Sequence, residues 1–243
     1  MTELRYLPDD DATTEFSATV TEVDEDGPSL VLDGTYFYPV GGGQPADRGT
    51  LSWDGGRADV VDVYKDHGEV RHDLENVGGS LPEPGDVVEG QVDAERRQAH
   101  RRMHTAQHVV SRVVLDEYGA GTAGNQIHAD RSRIDFEPAD FDDEDVARIE
   151  RLANEAIARD LRVRKEERPR PAVEAEVDEG RSLLHLIPDH VDPLRVVEIE
   201  DWDLCPCGGT HVGHLGEIGG IEIIDRTSKG KDTVRIEFVL TEP

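Results

Sequence analysis

The stretch AERRQAHRRMHTAQHVVSRVVLDEY, Ala94 to Tyr118, decides how the rest of the chain is read. It holds neither Pro nor Gly, its apolar residues recur at helical spacing, and Gly119 and Gly121 follow as stop signals. A long helix is therefore predicted here. Before it, the pattern has a different period. Phe16 to Val23 and Ser29 to Tyr38 alternate apolar and polar residues, Arg57 to Tyr64 and Asp86 to Val92 are rich in Val, and Gly, Asp and Pro fill the connections. Several short strands separated by turn signals predict a small N-terminal β-barrel over residues 1–92.

After the helix the elements mix. Asp142 to Leu161 predicts a second helix: its DDED start suits the positive end of the helix dipole, and Val146, Ile149, Leu152, Ala153, Ala156 and Ile157 form one apolar stripe. Shorter strand-like runs follow at Arg195 to Ile199, Gly220 to Ile224 and Thr233 to Leu240. Helices and strands that do not alternate regularly predict an α+β domain over residues 93–243. No internal repeat is visible.

Composition bounds the setting. The 243 residues include 54 Asp and Glu against 26 Lys and Arg, a formal net charge of −28. Such charge fits either a protein that avoids polyanions or one adapted to molar salt, where the Debye length shrinks to about 3 Å. The acid is spread along the chain and Arg heavily outnumbers Lys, which favours the halophilic reading; the charge then does not exclude a nucleic-acid substrate. No apolar stretch approaches the roughly 20 residues of a membrane helix. The acidic start, MTELRYLPDDD, lacks the layout of a secretory signal. A cytoplasmic protein without membrane contact is expected.

Chemistry concentrates in a few segments. His104 and His108 stand four apart on the predicted helix, so both rings can reach one ion; they could equally be two helix histidines, and His100 offers the alternative pair His100 and His104. Cys205 and Cys207 flank Pro206 too closely for an unstrained disulfide, which leaves a metal-ligand or plain-thiol role. Cys207-Gly-Gly-Thr-His211 can fold tightly enough for thiolate and imidazole to converge. One Cys and three His suit tetrahedral zinc. The loop Gly41-Gly42-Gly43-Gln44-Pro45 reads either as a turn between strands or as a place of close backbone approach to a ligand. The scarce cations gather as well: Arg96, Arg97, Arg101, Arg102 and Arg112 near the histidines, Arg131 and Arg133, and Lys229, Lys231 and Arg235. They either pair with neighbouring acids or receive a phosphate-bearing substrate.

Taken together, GGGQP (Gly41 to Pro45), RMHTAQH (Arg102 to His108), RIDF (Arg133 to Phe136), CGGTHV (Cys207 to Val212) and the later TSKGK and RIEF resemble the editing domain of alanyl-tRNA synthetase and its freestanding relatives, the AlaX trans-editing proteins. The pieces run in the family's order, and the length leaves no room for an aminoacylation domain. A freestanding form with a β-barrel ahead of the editing domain is expected. The resemblance implies zinc on His104, His108, Cys207 and His211, which removes the His100 register. It also implies hydrolysis of mischarged tRNA(Ala), carrying serine or in some members glycine, with Gln44 in the editing pocket. Gln126 and Thr105 are further candidates for that pocket. Gly42, Gly43, Arg101, Arg102, Arg133, Lys229 and Lys231 are candidates for holding the tRNA. A non-catalytic RNA-binding protein with a structural zinc site is the rival, and a zinc hydrolase of small esters or amides a more distant one.

Overall fold

The structure, a computed structural model, describes every residue except Asp26, Glu179, Ser182, Leu183, His185, Leu186 and Pro243. The chain forms two compact units, Met1–Gln98 and Ala99–Pro243.

In the first unit, β1 (Glu3–Leu4) pairs in parallel with β4 (Gly34–Thr35). The strands β2 (Glu15–Asp24), β3 (Ser29–Leu32), β5 (Gly49–Trp53), β6 (Gly56–Asp66), β7 (Glu69–Gly79) and β8 (Val87–Val92) close a barrel in the order β2-β3-β7-β6-β5-β8. Alternation sends Phe16, Ala18 and Val20 of β2 and Val88 and Val92 of β8 inward. On β6 the register shifts between Val60 and Asp62, so Val60 and Val63 both enter the core despite their odd spacing. Gly90 has to be glycine, since a Cβ there would sit 2.4 Å from the Phe16 ring.

The predicted strand Ser29 to Tyr38 is shorter in fact. It stops at Leu32, resumes only for Gly34 and Thr35, and leaves the ladder at Tyr36. The reason lies in where the donors go. Phe37 N–H bonds Thr35 Oγ1 (3.1 Å) and Tyr38 N–H bonds the Asp47 carboxylate (2.7 Å), so side chains take the place of a strand partner. Asp47 is held in turn by Arg97, which donates from Nε (3.0 Å) and Nη2 (2.5 Å) and also reaches the carbonyls of Asp11 (2.6 Å) and Tyr36 (2.5 Å). Arg97 is 1% exposed and Asp47 0%. Its charge is thus used inside the first unit, which corrects its place in the basic cluster read from the sequence.

The division between units falls within α1 (Ala94–Tyr118), the predicted helix. Gly119, at φ 66°, ends it and donates to the Leu115 carbonyl (2.9 Å). In the second unit, β9 (Gly121–Ile127), β10 (Ser132–Glu137), β14 (Gly220–Ser228) and β15 (Val234–Thr241) form an antiparallel sheet in the order β14-β15-β10-β9. A second antiparallel sheet joins β11 (Val163–Arg168), β12 (Leu194–Ile199) and β13 (Asp203–Pro206). The helix α2 (Asp143–Ala158) starts on a capping box: Asp142 accepts from Glu144 and Asp145 N–H, and the Asp145 side chain accepts from Asp142 N–H. It ends before the predicted Leu161, because Asp160 turns to φ 48°. A short helix, α3 (Arg170–Glu176), follows β11. Ala106, Val110 and Val114 of α1 share one core with Ile149 and Ala153 of α2 and with Ile134, Ile236 and Phe238 of the larger sheet. Barrel and α+β unit together are the fold class predicted. Among the described residues no helix is long and apolar enough to cross a membrane.

Two outcomes test this account. Arg97→Ala leaves a buried carboxylate uncompensated and should destabilise the protein by about 3–5 kcal/mol in a denaturant titration; a loss below about 1 kcal/mol would refute the pairing's role. His72, fully buried on β7 beside Thr35 Oγ1 (2.9 Å) and the Leu30 carbonyl (3.1 Å), is pushed by desolvation from 6.5 down to about 4. The unfolded chain therefore takes up the proton first. This contribution, on the order of 3 kcal/mol, is intact above the ordinary histidine value and is lost as pH falls from there through about 4. His72→Gln should flatten the dependence of the urea midpoint on pH across that window, and an unchanged slope would count against it.

Candidate metal centre

The same helical periodicity that buries Met103, Ala106, Val109 and Val110 also takes His104 and His108 out of water, at 2% and 3% exposure. One turn apart, their ring centroids are 5.3 Å from each other. The other half arrives from the smaller sheet. Cys205 is still in register opposite Val197 and Pro206 opposite Val196; beyond them the chain leaves the ladder and carries Cys207 and His211 to the helix. The His211 ring lies 4.3 Å from that of His104 and 4.6 Å from that of His108. Cys207 Sγ is 3.6 Å from His104 Nε2 and 3.4 Å from His211 Nε2. One ligand atom from each of His104, His108, Cys207 and His211 lies within 4.8 Å of all the others.

The protonation states suit ligation of a metal. Burial, reinforced by the charges of Arg195 and His100, pushes His104 down to about 3. Burial likewise holds His108 and His211 well below the ordinary value, so all three rings are neutral and their lone pairs are available. Nδ1 of His108 is buried with no hydrogen-bond partner among the described residues, the kind of atom a bound ion accounts for. Three buried imidazoles and one half-buried thiol, gathered within reach of one point, fit a borderline-soft divalent ion. Cys205 stays outside the group. Burial pushes its thiol up to about 12, and its Sγ lies 3.6 Å from the Pro206 carbonyl.

Cations hold the turn between Cys207 and His211 in place. Arg195 donates from Nη1 to the carbonyls of Cys207 (2.6 Å) and Gly209 (2.7 Å). The His211 carbonyl receives Arg101 Nε (2.8 Å) and Lys165 Nζ (3.3 Å), and Gly209 N–H points at Cys207 Sγ (3.3 Å). No spacing in the sequence singles out Lys165 or Arg195. The only hint at Lys165 is a rare lysine facing inward on a strand of charged residues.

The other candidates fall into separate places. Arg102 donates to the carbonyls of Ile218 (2.8 Å) and Thr241 (3.1 Å), and Arg112 binds Asp116 and Asp178. Arg96 donates to the Ala46 carbonyl (3.0 Å). The basic group beside the histidines is therefore largely committed to the protein's own carbonyls and carboxylates. Gln126 stands opposite Arg133 in the larger sheet; Arg133 is half-buried, and Lys229 and Lys231 are exposed on the connection between β14 and β15. Gly42 and Gly43, at φ 56° and 83°, turn the loop in the first unit so that Gly41 and Gln44 exchange backbone hydrogen bonds (3.1 and 2.9 Å). Only glycine adopts both angles readily. The Gln44 side chain is buried. Thr105 is buried against His211.

Fold and cluster define a class: a β-barrel unit joined to an α+β unit in which three buried histidines and one half-buried cysteine converge. The family model described as "Threonyl and Alanyl tRNA synthetase second additional domain" matches residues 194–237, which include Cys207 and His211, and that described as "tRNA synthetases class II (A)" matches residues 8–96. The alanyl-tRNA editing protein AlaX-M of Methanosarcina barkeri is 40% identical over 246 residues, covering 100% of both chains. The AlaX-M protein of Methanosarcina mazei is 40% identical over 247 residues, covering 100% of this chain and 98% of its own. The alanine–tRNA ligase of Halorubrum lacusprofundi is 39% identical over 236 residues, which are 95% of this chain and 25% of the ligase. The chain belongs to the AlaX-M family of alanyl-tRNA editing proteins.

Replacing Cys207 by Ala should lower the bound divalent metal, measured by elemental analysis after dialysis, from about one equivalent to a small fraction. Cys205→Ser should retain it. Equal loss in both variants would sink the assignment of the thiol.

Proposed function

We propose that this protein is a trans-editing deacylase that removes serine or glycine from mischarged tRNA(Ala). The observation that carries the reading is the convergent group His104, His108, Cys207 and His211, set in a chain that aligns end to end with alanyl-tRNA editing proteins. In the reaction a water oxygen bonds to the ester carbonyl carbon, the bond from that carbon to the ribose oxygen breaks, and the ribose oxygen takes a proton. Free amino acid and tRNA(Ala) are the products. The four residues would hold zinc, which when bound supplies Lewis acidity and a fixed positive charge.

The remaining work falls to the protein's own groups. A side chain that bonds the serine hydroxyl discriminates against alanine, because alanine would leave that group unpaired. Gln44 and Gln126 are the residues proposed for this selection, with the Gly42 and Gly43 backbone close to the substrate. Arg133, Lys229 and Lys231 are proposed to meet the tRNA backbone. Arg101 and Arg102 also entered as tRNA contacts; their bonds to the carbonyls of His211, Ile218 and Thr241 fit bracing better. The excess of acid is proposed as adaptation to a salty cytoplasm, where screening lets a −28 chain approach RNA.

One assay tests the proposal: incubation with Ser-tRNA(Ala) and with Ala-tRNA(Ala) in high potassium chloride, with and without a chelator. Release of serine alone, abolished by the chelator and restored by zinc, is the expected result. Retention of tRNA with neither ester cleaved would overturn the deacylase reading in favour of an RNA-binding protein with a structural ion. Cleavage that survives complete metal removal would overturn the dependence on zinc.

A further inference from the structure

Thr105 stands next to His104 in sequence, and its side chain is buried. That hydroxyl sits where three groups meet. The Arg101 carbonyl is 2.8 Å away, His211 Nδ1 3.1 Å, and the Val212 N–H 3.2 Å. A hydroxyl offers one proton and two lone pairs. The Val212 N–H can only donate, so it occupies one lone pair. The Arg101 carbonyl can only accept, so it takes the proton, the usual back-bond of a helical threonine. What faces His211 is the second lone pair, and only a protonated Nδ1 can satisfy it. Nε2, the nitrogen 3.4 Å from Cys207 Sγ, is then left with its own lone pair directed into the cluster.

From this geometry we infer that Thr105 is a positioning residue for His211, holding the ring in the Nδ1–H form and turned so that Nε2 is presented to the metal. The inference rests on the metal reading above and assigns Thr105 a role other than contact with substrate. Its effect is concentrated by the neighbouring bonds. The same turn of α1 that carries the Thr105 hydroxyl also sends Arg101 to the His211 carbonyl, so His211 is fixed at both main chain and side chain. A ring tethered this way does not have to be reoriented or change tautomer when the ion arrives. Groups that orient a metal-bound histidine through its other nitrogen typically govern affinity by about 10–100-fold.

Thr105→Val keeps the shape of the side chain and removes both donor and acceptor, whereas Thr105→Ser keeps the hydroxyl. Zinc affinity is measured by competition with a chromogenic chelator, and the state of the His211 ring by nitrogen-15 shifts of its imidazole in metal-free and zinc-loaded protein. The expected results are Nδ1–H on His211 in the metal-free wild type, a Kd raised about 10–100-fold in Thr105→Val, and near wild-type affinity in Thr105→Ser. Wild-type affinity in a folded Thr105→Val, or Nε2–H on His211 in the metal-free wild type, would overturn the inference. Should Thr105→Val fail to fold by near-ultraviolet circular dichroism, the wild-type nitrogen shifts alone decide it. A wild type that binds no zinc overturns the metal reading instead, and the metal-free shifts still decide the role of Thr105.

Discussion

Three buried imidazoles and a half-buried thiol within 4.8 Å of one another impose a demand that much of the second unit is built to meet. Buried polar atoms need partners, and charged imidazoles could not be tolerated so close together. Desolvation keeps the rings neutral, which is also the state in which they bind an ion. The helix presents two of them by its own periodicity. The turn from Cys207 to His211 has no such regular frame, so its carbonyls are held by Arg195, Arg101 and Lys165, and its imidazole by Thr105. Regular structure positions one half of the site and side-chain bonds position the other.

The same economy runs through the charges. In a chain with twice as many acids as bases, several arginines are spent inside. Arg97 binds Asp47, and Arg181 binds Asp203 through two bonds of 2.6 and 2.5 Å, both pairs being buried. Arg235 donates two hydrogen bonds to the half-buried Asp135, which hold its carboxyl below the usual range. Exposed pairs contribute little and are screened by salt, whereas buried ones keep their strength. Several arginines that look like a phosphate site in the sequence bond the protein itself.

Legibility in the sequence follows how local each feature is. The span of α1, the stripe of α2 and the strands β2, β6 and β8 could be read because their burial follows a helical or a strand period. The strands β7, β9, β11 and β13 could not. On β7 the inward row includes His72 beside Val70 and Leu74, and β11 reads VRKEER, so neither shows an apolar alternation. Tyr36 to Tyr38 looks like strand from its aromatic side chains, but the backbone donors of Phe37 and Tyr38 are taken by Thr35 and Asp47.

For the site itself, the sequence determined the ligand types and their local spacing: two histidines one helical turn apart, and a Cys and a His across a glycine turn. Those relations span a few residues, and local backbone geometry alone sets them. Only the tertiary structure decided that Lys165 and Arg195 brace the turn and that Thr105 turns towards His211. Each of these depends on where a turn after β13 meets a helix about a hundred residues earlier, and a contact between distant segments leaves no period in the chain to read.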